Sequence, residues 1–388
     1  MNKTGNAVQK QLQHCLNSLV GMPAHLRPVC VCGFDGFIDT LARPVMQAGA
    51  DKVYFKTIRQ FGEYIASKGG KSGSIELDIK SRRAGGNAPN FSLALASAGV
   101  DVHCMAAVGY PEPDPVFADL RSKCDTHGVM APGLCTALEF DDGKIFLTQN
   151  DGIRPITYGH IRQSVGAANI SAMVGNSDGI ALLNWGEIDS MHQVWQDALR
   201  DFSVASVVNN RKKLLIDFAD ISARSDADIN AVLALIKYYQ AWFEIYISLN
   251  LNEYQRLCRL LAINSELDAS SMQDLFHALC IDGLVAHTPR HSFFANHASC
   301  LHINNLHVPK PMINTGAGDH FNAGFMFGLL HQFDMQSALI MASAVSGLFI
   351  SQGSSPDRRQ LAEYLKFWIA SCASPPELNP TQRFVESK

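Results

Sequence analysis

The stretch "NTGAGDHFNAGF", residues 314–325, sets Gly316, Ala317 and Gly318 directly before Asp319. Small residues leave backbone N–H groups unshielded. At the start of a helix those groups point outward at the positive end of the dipole. Such a place suits an anion that comes and goes. A carboxylate there can cap the helix. The helix dipole is expected to keep Asp319 ionised. Phe321, Phe325 and Leu329 follow at spacing four, the buried stripe of a helix, and Gly324 and Gly328 permit close packing beside it.

Three other stretches carry residues suited to chemistry. In "GFDGFIDT", residues 33–40, Asp35 and Asp39 lie just past an apolar run, and carboxylates can hold vicinal hydroxyls. Turn stabilisation is the plainer use, and it suits Asp35 before Gly36 better than it suits Asp39. In "RAGGNAPNFSLALASAG", residues 83–99, Gly85 and Gly86 let backbone approach a ligand. There Asn87 is expected to cap a helix that accepts Pro89 in its first turn and ends at Gly99. In "SLNLNEYQRL", Asn250 and Glu253 form N-x-x-E at a strand-to-helix junction. Their oxygens could help hold hydrated Mg²⁺, and a capping box would use the same two residues.

Some patterns carry nothing. "GGKSGS" at 69–74 resembles a phosphate loop, but Ile65 stands where such a loop needs glycine. His287, His291, His297, His302 and His307 are dense, yet their spacings fit no zinc motif.

The elements that must position these residues alternate between β-rich and helical patterns. "PVCVCGF", "DVHCMAAVG", "DGIALLNWG", "KLLIDFAD", "EIYISLN" and "DGLVAHT" are apolar on both faces, as buried parallel strands are. Ligands gather beyond the carboxyl ends of such strands. Asp35, Asn184, Asp217, Asn250 and Thr288 end these runs and would share one rim. Residues 41–80 and 134–148 break the rhythm. The second reads as a hairpin turning at Asp142-Gly143. Together they predict a small sheet that projects as a lid, with an extra edge meander as the alternative.

The chain has 388 residues, 47% hydrophobic and 18% charged, with net charge −4, and a pI of about 6.4. That balance gives no footing for nucleic acid or a membrane surface. Ten scattered cysteines without a CxxC pair fit reduced thiols. The opening residues lack the apolar core of a signal peptide, and no apolar run is long enough to span a bilayer, so a soluble cytoplasmic protein is expected. Val8, Leu12, Cys15, Leu16, Leu19 and Val20 predict an amphipathic helix in an N-terminal extension, residues 1–27. The main domain would span 28–375, followed by a tail at 376–388.

"AGGNAPN" early and "NTGAGDHFNAGF" late resemble the ribokinase-like, PfkB-type carbohydrate kinase family over roughly residues 28–375. The resemblance implies an α/β fold, a ribokinase-like three-layer sandwich with a central mostly parallel sheet and a small β lid. It implies transfer of the ATP γ-phosphate to a hydroxyl of a sugar or sugar acid, and a homodimer through the lid. Carried over by position, Asp319 is the base, and the amides of Gly316, Ala317 and Gly318 form the anion hole. Asp39, Gly85, Gly86 and Asn90 fall on the sugar side, with Asp39 nearest the family's first-strand aspartate, and Asp35 joins them as a candidate substrate ligand from its place past the first strand. Asn250, Glu253 and Thr288 fall on the nucleotide side, with Glu253 holding Mg²⁺ through water. A monovalent cation is a further candidate cofactor.

Two departures lie on the nucleotide side. Ile313 and Asn314 stand where the family has Asp-Thr, and "HTPRHSFF" lacks its usual glycines. Asp39 also stands one residue later than in most relatives, as in ADP-dependent sugar kinases. ATP remains the favoured donor. A nucleoside kinase, an ADP-dependent sugar kinase and a non-catalytic sugar or nucleotide sensor are the alternatives. Intact Asp319 counts against the sensor.

Overall fold

The computed structural model describes residues 3–23, 25–49, 51–206 and 211–372, so the expected tail at 376–388 lies outside the described residues. The six predicted β-rich runs form adjacent parallel strands. Their spatial order is Gly283–His287, Phe243–Asn250, Lys212–Asp217, Gly179–Leu183, Val29–Phe34 and Asp101–Ala106. Asp125–Gly128 extends one edge in parallel, and His291–Ala295 and Cys300–Asn304 extend the other antiparallel, giving nine strands. These three edge strands are short and half polar, which is why periodicity alone did not reveal them.

Helices cover both faces, which explains strands that are apolar throughout. Cys30 and Cys32 face one core, shared with Phe91, Phe325 and Leu348. Val31 and Phe34 face the other, shared with Trp185, Trp195 and Phe276. The N-terminal helix Lys3–Gly21 joins the first core through Leu12, Cys15, Leu16 and Leu19, all nearly inaccessible. Within that core, helix Ala317–Leu330 lies against Met335–Gln352. A Cβ on Gly324 would come 2.6 Å from Met341 O, and one on Gly328 would come 2.7 Å from Ala338 Cα. Met335–Gln352 is, among the described residues, the one helix long and apolar enough to cross a bilayer, and it is mostly buried inside the fold.

A second, five-stranded sheet comprises Phe37–Gln47, Val53–Tyr54, Glu76–Gly85, Gly133–Phe140 and Gly143–Gln149. Its small core of Ala42, Phe55, Phe61, Leu138 and Phe140 is closed by helix Ile58–Ala66. This sheet begins before residue 41 and runs beyond residue 80. Asp39 therefore belongs to the smaller sheet, not to the end of the first main strand.

Candidate active site

Two cavities of about 560 and 570 Å³ meet at the turn 314–318. The first lies between the strand ends of the main sheet and the smaller sheet, and Asp39, Gly86, Asn90, Asp217 and Asp319 line it. The second is walled by Thr288, Pro289, Leu306, Val308 and Ile350. Asn250, His287, Asn314, Ala317 and Gly318 border both.

The connecting turn is built by the glycines. Gly316 takes φ 87° and stands as N-cap of helix Ala317–Leu330, which places Asp319 in the first turn, not at the cap. Ala317 N–H donates to Asn314 O at 3.2 Å, so this amide closes the turn. Asn90 Nδ2 donates to Asp319 Oδ2 at 3.0 Å. A residue expected on the sugar side thus also orients the expected base.

The helix dipole, expected to keep Asp319 ionised, does not set the direction of its shift. Asp319 is only 8% exposed. Burial pushes its pKa well above the usual carboxylate range, and Asp217 adds repulsion. Desolvation at this depth outweighs the half-charge of a helix end. Glu253 is raised the same way, by burial and then by Asp217. Burial lifts Asp217 to about 6. Asp217 accepts from Ala219 N at 2.8 Å and also from Asn322 Nδ2.

Asn250 and Glu253 form a capping box: Glu253 N donates to Asn250 Oδ1 at 3.1 Å, and Asn250 N to Glu253 Oε2 at 2.9 Å. Both also line the first cavity. The capping box is therefore formed by two residues that also face the cavity.

Asp35 sits elsewhere than expected of a sugar ligand. It is fully buried and is not among the residues lining either cavity. Its oxygens accept from Asn87 N and Ala88 N, both at 2.7 Å, and from Asn184 Nδ2 at 3.0 Å. Asp35 therefore caps helix Asn87–Ser97 from a distance in the chain, and Asn87 does not cap it with its own side chain. Burial raises Asp35 to about 6. Gly85 also lies off the cavity lining. A Cβ there would come 2.5 Å from Asp39 Cγ, so the glycine makes room for that carboxylate. Thr288 lines the second cavity, and its hydroxyl accepts from His291 N at 2.9 Å.

Several lining residues escaped the sequence reading. Glu187 and Asp220 come from loops that carry no motif. Asp217 was legible only as a strand end, and Asn184, expected on the same rim, is fully buried and lines neither cavity. His287 belonged to a histidine run set aside as scattered. It stacks on Phe321 at 4.4 Å, and burial lowers its pKa to about 4, so it is neutral. Of the aromatics on the smaller sheet, Phe146 lines the first cavity while Phe55 is core.

The sequence model of the prokaryotic ketohexokinase family matches residues 5–368. A ketohexokinase from Haloferax volcanii is 24% identical over 343 residues, 87% of this chain and 90% of the relative. Among solved structures, a probable sugar kinase from Rhizobium etli superposes with TM-score 0.62 at 14% identity, covering 89% of this chain and 99% of that one. An Arabidopsis thaliana ribokinase complexed with ribose and ATP gives 0.61 at 15% identity, over 88% and 99%. The chain belongs to the prokaryotic ketohexokinase family and is a carbohydrate kinase of the ribokinase-like fold.

Proposed function

We propose that this kinase phosphorylates a hydroxyl of a ketohexose, with ATP as donor and Mg²⁺ as its cation. The observation that carries the proposal is the pair of cavities joined at the glycine turn. The acidic one suits a polyol, and the apolar one suits a nucleotide base and ribose. The terminal phosphate would then lie across Gly316 and Gly318. The ketohexokinase relative supports the choice of sugar.

Asp319 would accept the proton of the attacking hydroxyl as its oxygen bonds to the terminal phosphorus. The bond from that phosphorus to the leaving nucleoside diphosphate breaks. A carboxylate raised by burial is a stronger base than a solvated one once it is ionised. Asn90 holds the carboxylate in place, and Asp39 would accept hydrogen bonds from the sugar.

Asp39, Glu187, Asp217, Asp220, Glu253 and Asp319 line the first cavity, with no lysine or arginine lining it among the described residues. This oxygen-rich, mutually repelling set fits a hydrated divalent cation. Glu253, with Asp217 and Asp220, would hold Mg²⁺, which supplies charge neutralisation for the phosphates. Turnover of ketoses, aldoses and nucleosides, each with ATP and with ADP, tests the assignment. Asp319→Asn should lower kcat by roughly two to four orders of magnitude while sugar binding persists by calorimetry. Turnover of the variant within a few fold of wild type would reject Asp319 as the base.

A further inference from the structure

We propose that His103, Asp125 and His127 bind a divalent transition-metal ion, Zn²⁺ foremost, at the outer edge of the main sheet. Asp125–Gly128 is the last strand of that sheet and pairs in parallel with Asp101–Ala106, with Asp125 opposite His103. Residues two apart on a strand point to one face. Asp125 and His127 therefore stand side by side, and His103 joins them across the ladder.

The side chains converge. His103 Nδ1 lies 2.7 Å from Asp125 Oδ2, and His127 Nε2 lies 3.1 Å from the same oxygen. All three ligand atoms fall within 4.8 Å of one another. Tetrahedral zinc with bonds of about 2.0–2.1 Å holds its ligand atoms roughly 3.3 Å apart. Two of the three separations are already near that value, and side-chain rotation alone can close the third. Two imidazoles and one carboxylate are a donor set that zinc accepts, with its fourth position left to water. The histidines are about three-quarters covered, at 28% and 27% side-chain exposure, while Asp125 at 57% opens the cluster to solvent. An ion can therefore enter.

The site is separate from the kinase cavities, whose lining includes none of the three residues. It would tie the outermost strand to its single neighbour. That strand leads through Val129 and Met130, which pair with Ala106 and Gly109, into the smaller-sheet hairpin starting at Gly133. A ligand that binds only the folded chain stabilises it by mass action.

The test uses the metal-free full chain, dialysed against micromolar Zn²⁺ and assayed for bound metal. The other histidines and the cysteines contribute equally to wild type and variants. The proposal expects wild type to retain one more Zn²⁺ per chain than the His103→Ala, His127→Ala double variant. It also expects a rise in Tm with Zn²⁺, reversed by chelator, that the double variant lacks. Equal stoichiometry in the two proteins would overturn the site. If the double variant fails to fold, as judged by sugar-kinase activity with Mg²⁺, Asp125→Asn decides. This change at an exposed carboxylate should weaken Zn²⁺ binding at least tenfold, and unchanged affinity would equally overturn the proposal.

Discussion

Replacing Asp217 with asparagine removes a charge that destabilises the ligand-free fold. Its pKa of about 6 stands above the ordinary 3.8, with burial as the first cause. At about 1.36 kcal/mol per pH unit, that gap is worth roughly 3 kcal/mol, an upper value because Asp319 and Glu253 share the repulsion. The sign follows from proton binding. The folded state holds this proton more firmly than the unfolded chain. Stability is therefore fully present below the ordinary value and falls as pH rises towards 6. The variant escapes the loss. Its carboxamide oxygen can still accept from Ala219 N, and once the Asn322 amide turns over, its new N–H can donate to Asn322 Oδ1 in place of the bond that Asn322 Nδ2 now gives Asp217.

Denaturant unfolding without divalent cations, at about pH 7.5 and again near pH 4.5, gives the comparison. The Asp217→Asn variant should be the more stable at the higher pH, by roughly 2–3 kcal/mol, and the difference should shrink at the lower pH. Mg²⁺ should narrow the gap at neutral pH by stabilising the wild type. Equal stability at neutral pH, or a gap that widens on acidification, would refute the electrostatic account of this cluster.

Other predictions follow from single contacts. Asp39→Ala should raise the sugar KM and leave the nucleotide KM unchanged. Gly85→Ala should do the same, because its methyl would displace the Asp39 carboxylate; an unaltered sugar KM in steady-state kinetics would return Asp39 to a purely structural place. His320 faces Gly316 O through Nδ1 at 2.7 Å and Ser355 Oγ through Nε2 at 2.8 Å. Burial lowers its pKa to about 3, so it is neutral, and the carbonyl facing Nδ1 places its proton there. Loosening the glycine turn by His320→Ala should cost about 10- to 100-fold in kcat with little change in sugar KM, measured on protein shown to be folded. Finally, hydrogen exchange at the outer ends of Glu76–Gly85 and Gly133–Gln149 should slow when a turned-over ketose binds, while Phe37 and Gly85 stay constant. Uniform behaviour along these strands would count against lid closure.

The main sheet was legible because its strands are covered on both faces, which writes unbroken apolar runs into the sequence. The glycine turn and helix Ala317–Leu330 were legible because small residues and a four-residue stripe serve few other purposes together. Local pattern fails where partners are distant in the chain. Nothing near Asp35 announces that it caps helix Asn87–Ser97, and nothing near Asn90 announces Asp319. Glu187 and Asp220 lie in loops, where side-chain type alone does not separate a ligand from a solvated charge. The direction of the Asp319 shift was misjudged for a related reason. The dipole is visible in sequence, whereas burial and the approach of Asp217 exist only in three dimensions.

The crossing between the two sheets constrains how a closure over sugar could work. The chain leaves the main sheet at Phe34, enters the smaller sheet at Phe37, and returns at Gly85 to start a helix at Asn87. Asp35 holds this crossing with all its hydrogen bonds directed inward. A Cβ on Gly36 would come 2.2 Å from Ala107 O, and one on Gly86 would come 2.8 Å from Gly36 Cα. Gly133 N–H donates to Gly36 O at 2.9 Å, which fastens the hairpin to the same point. Backbone packed this closely cannot act as a hinge without breaking buried hydrogen bonds. Bending must then occur further out, beyond Asp39, where the strands are more exposed. In such a closure Asp39 would stay fixed to the frame that holds Asn90 and Asp319, while Phe146 and Thr148 would arrive from the hairpin. Sugar orientation would thus be set before closure, and exclusion of water would come with it.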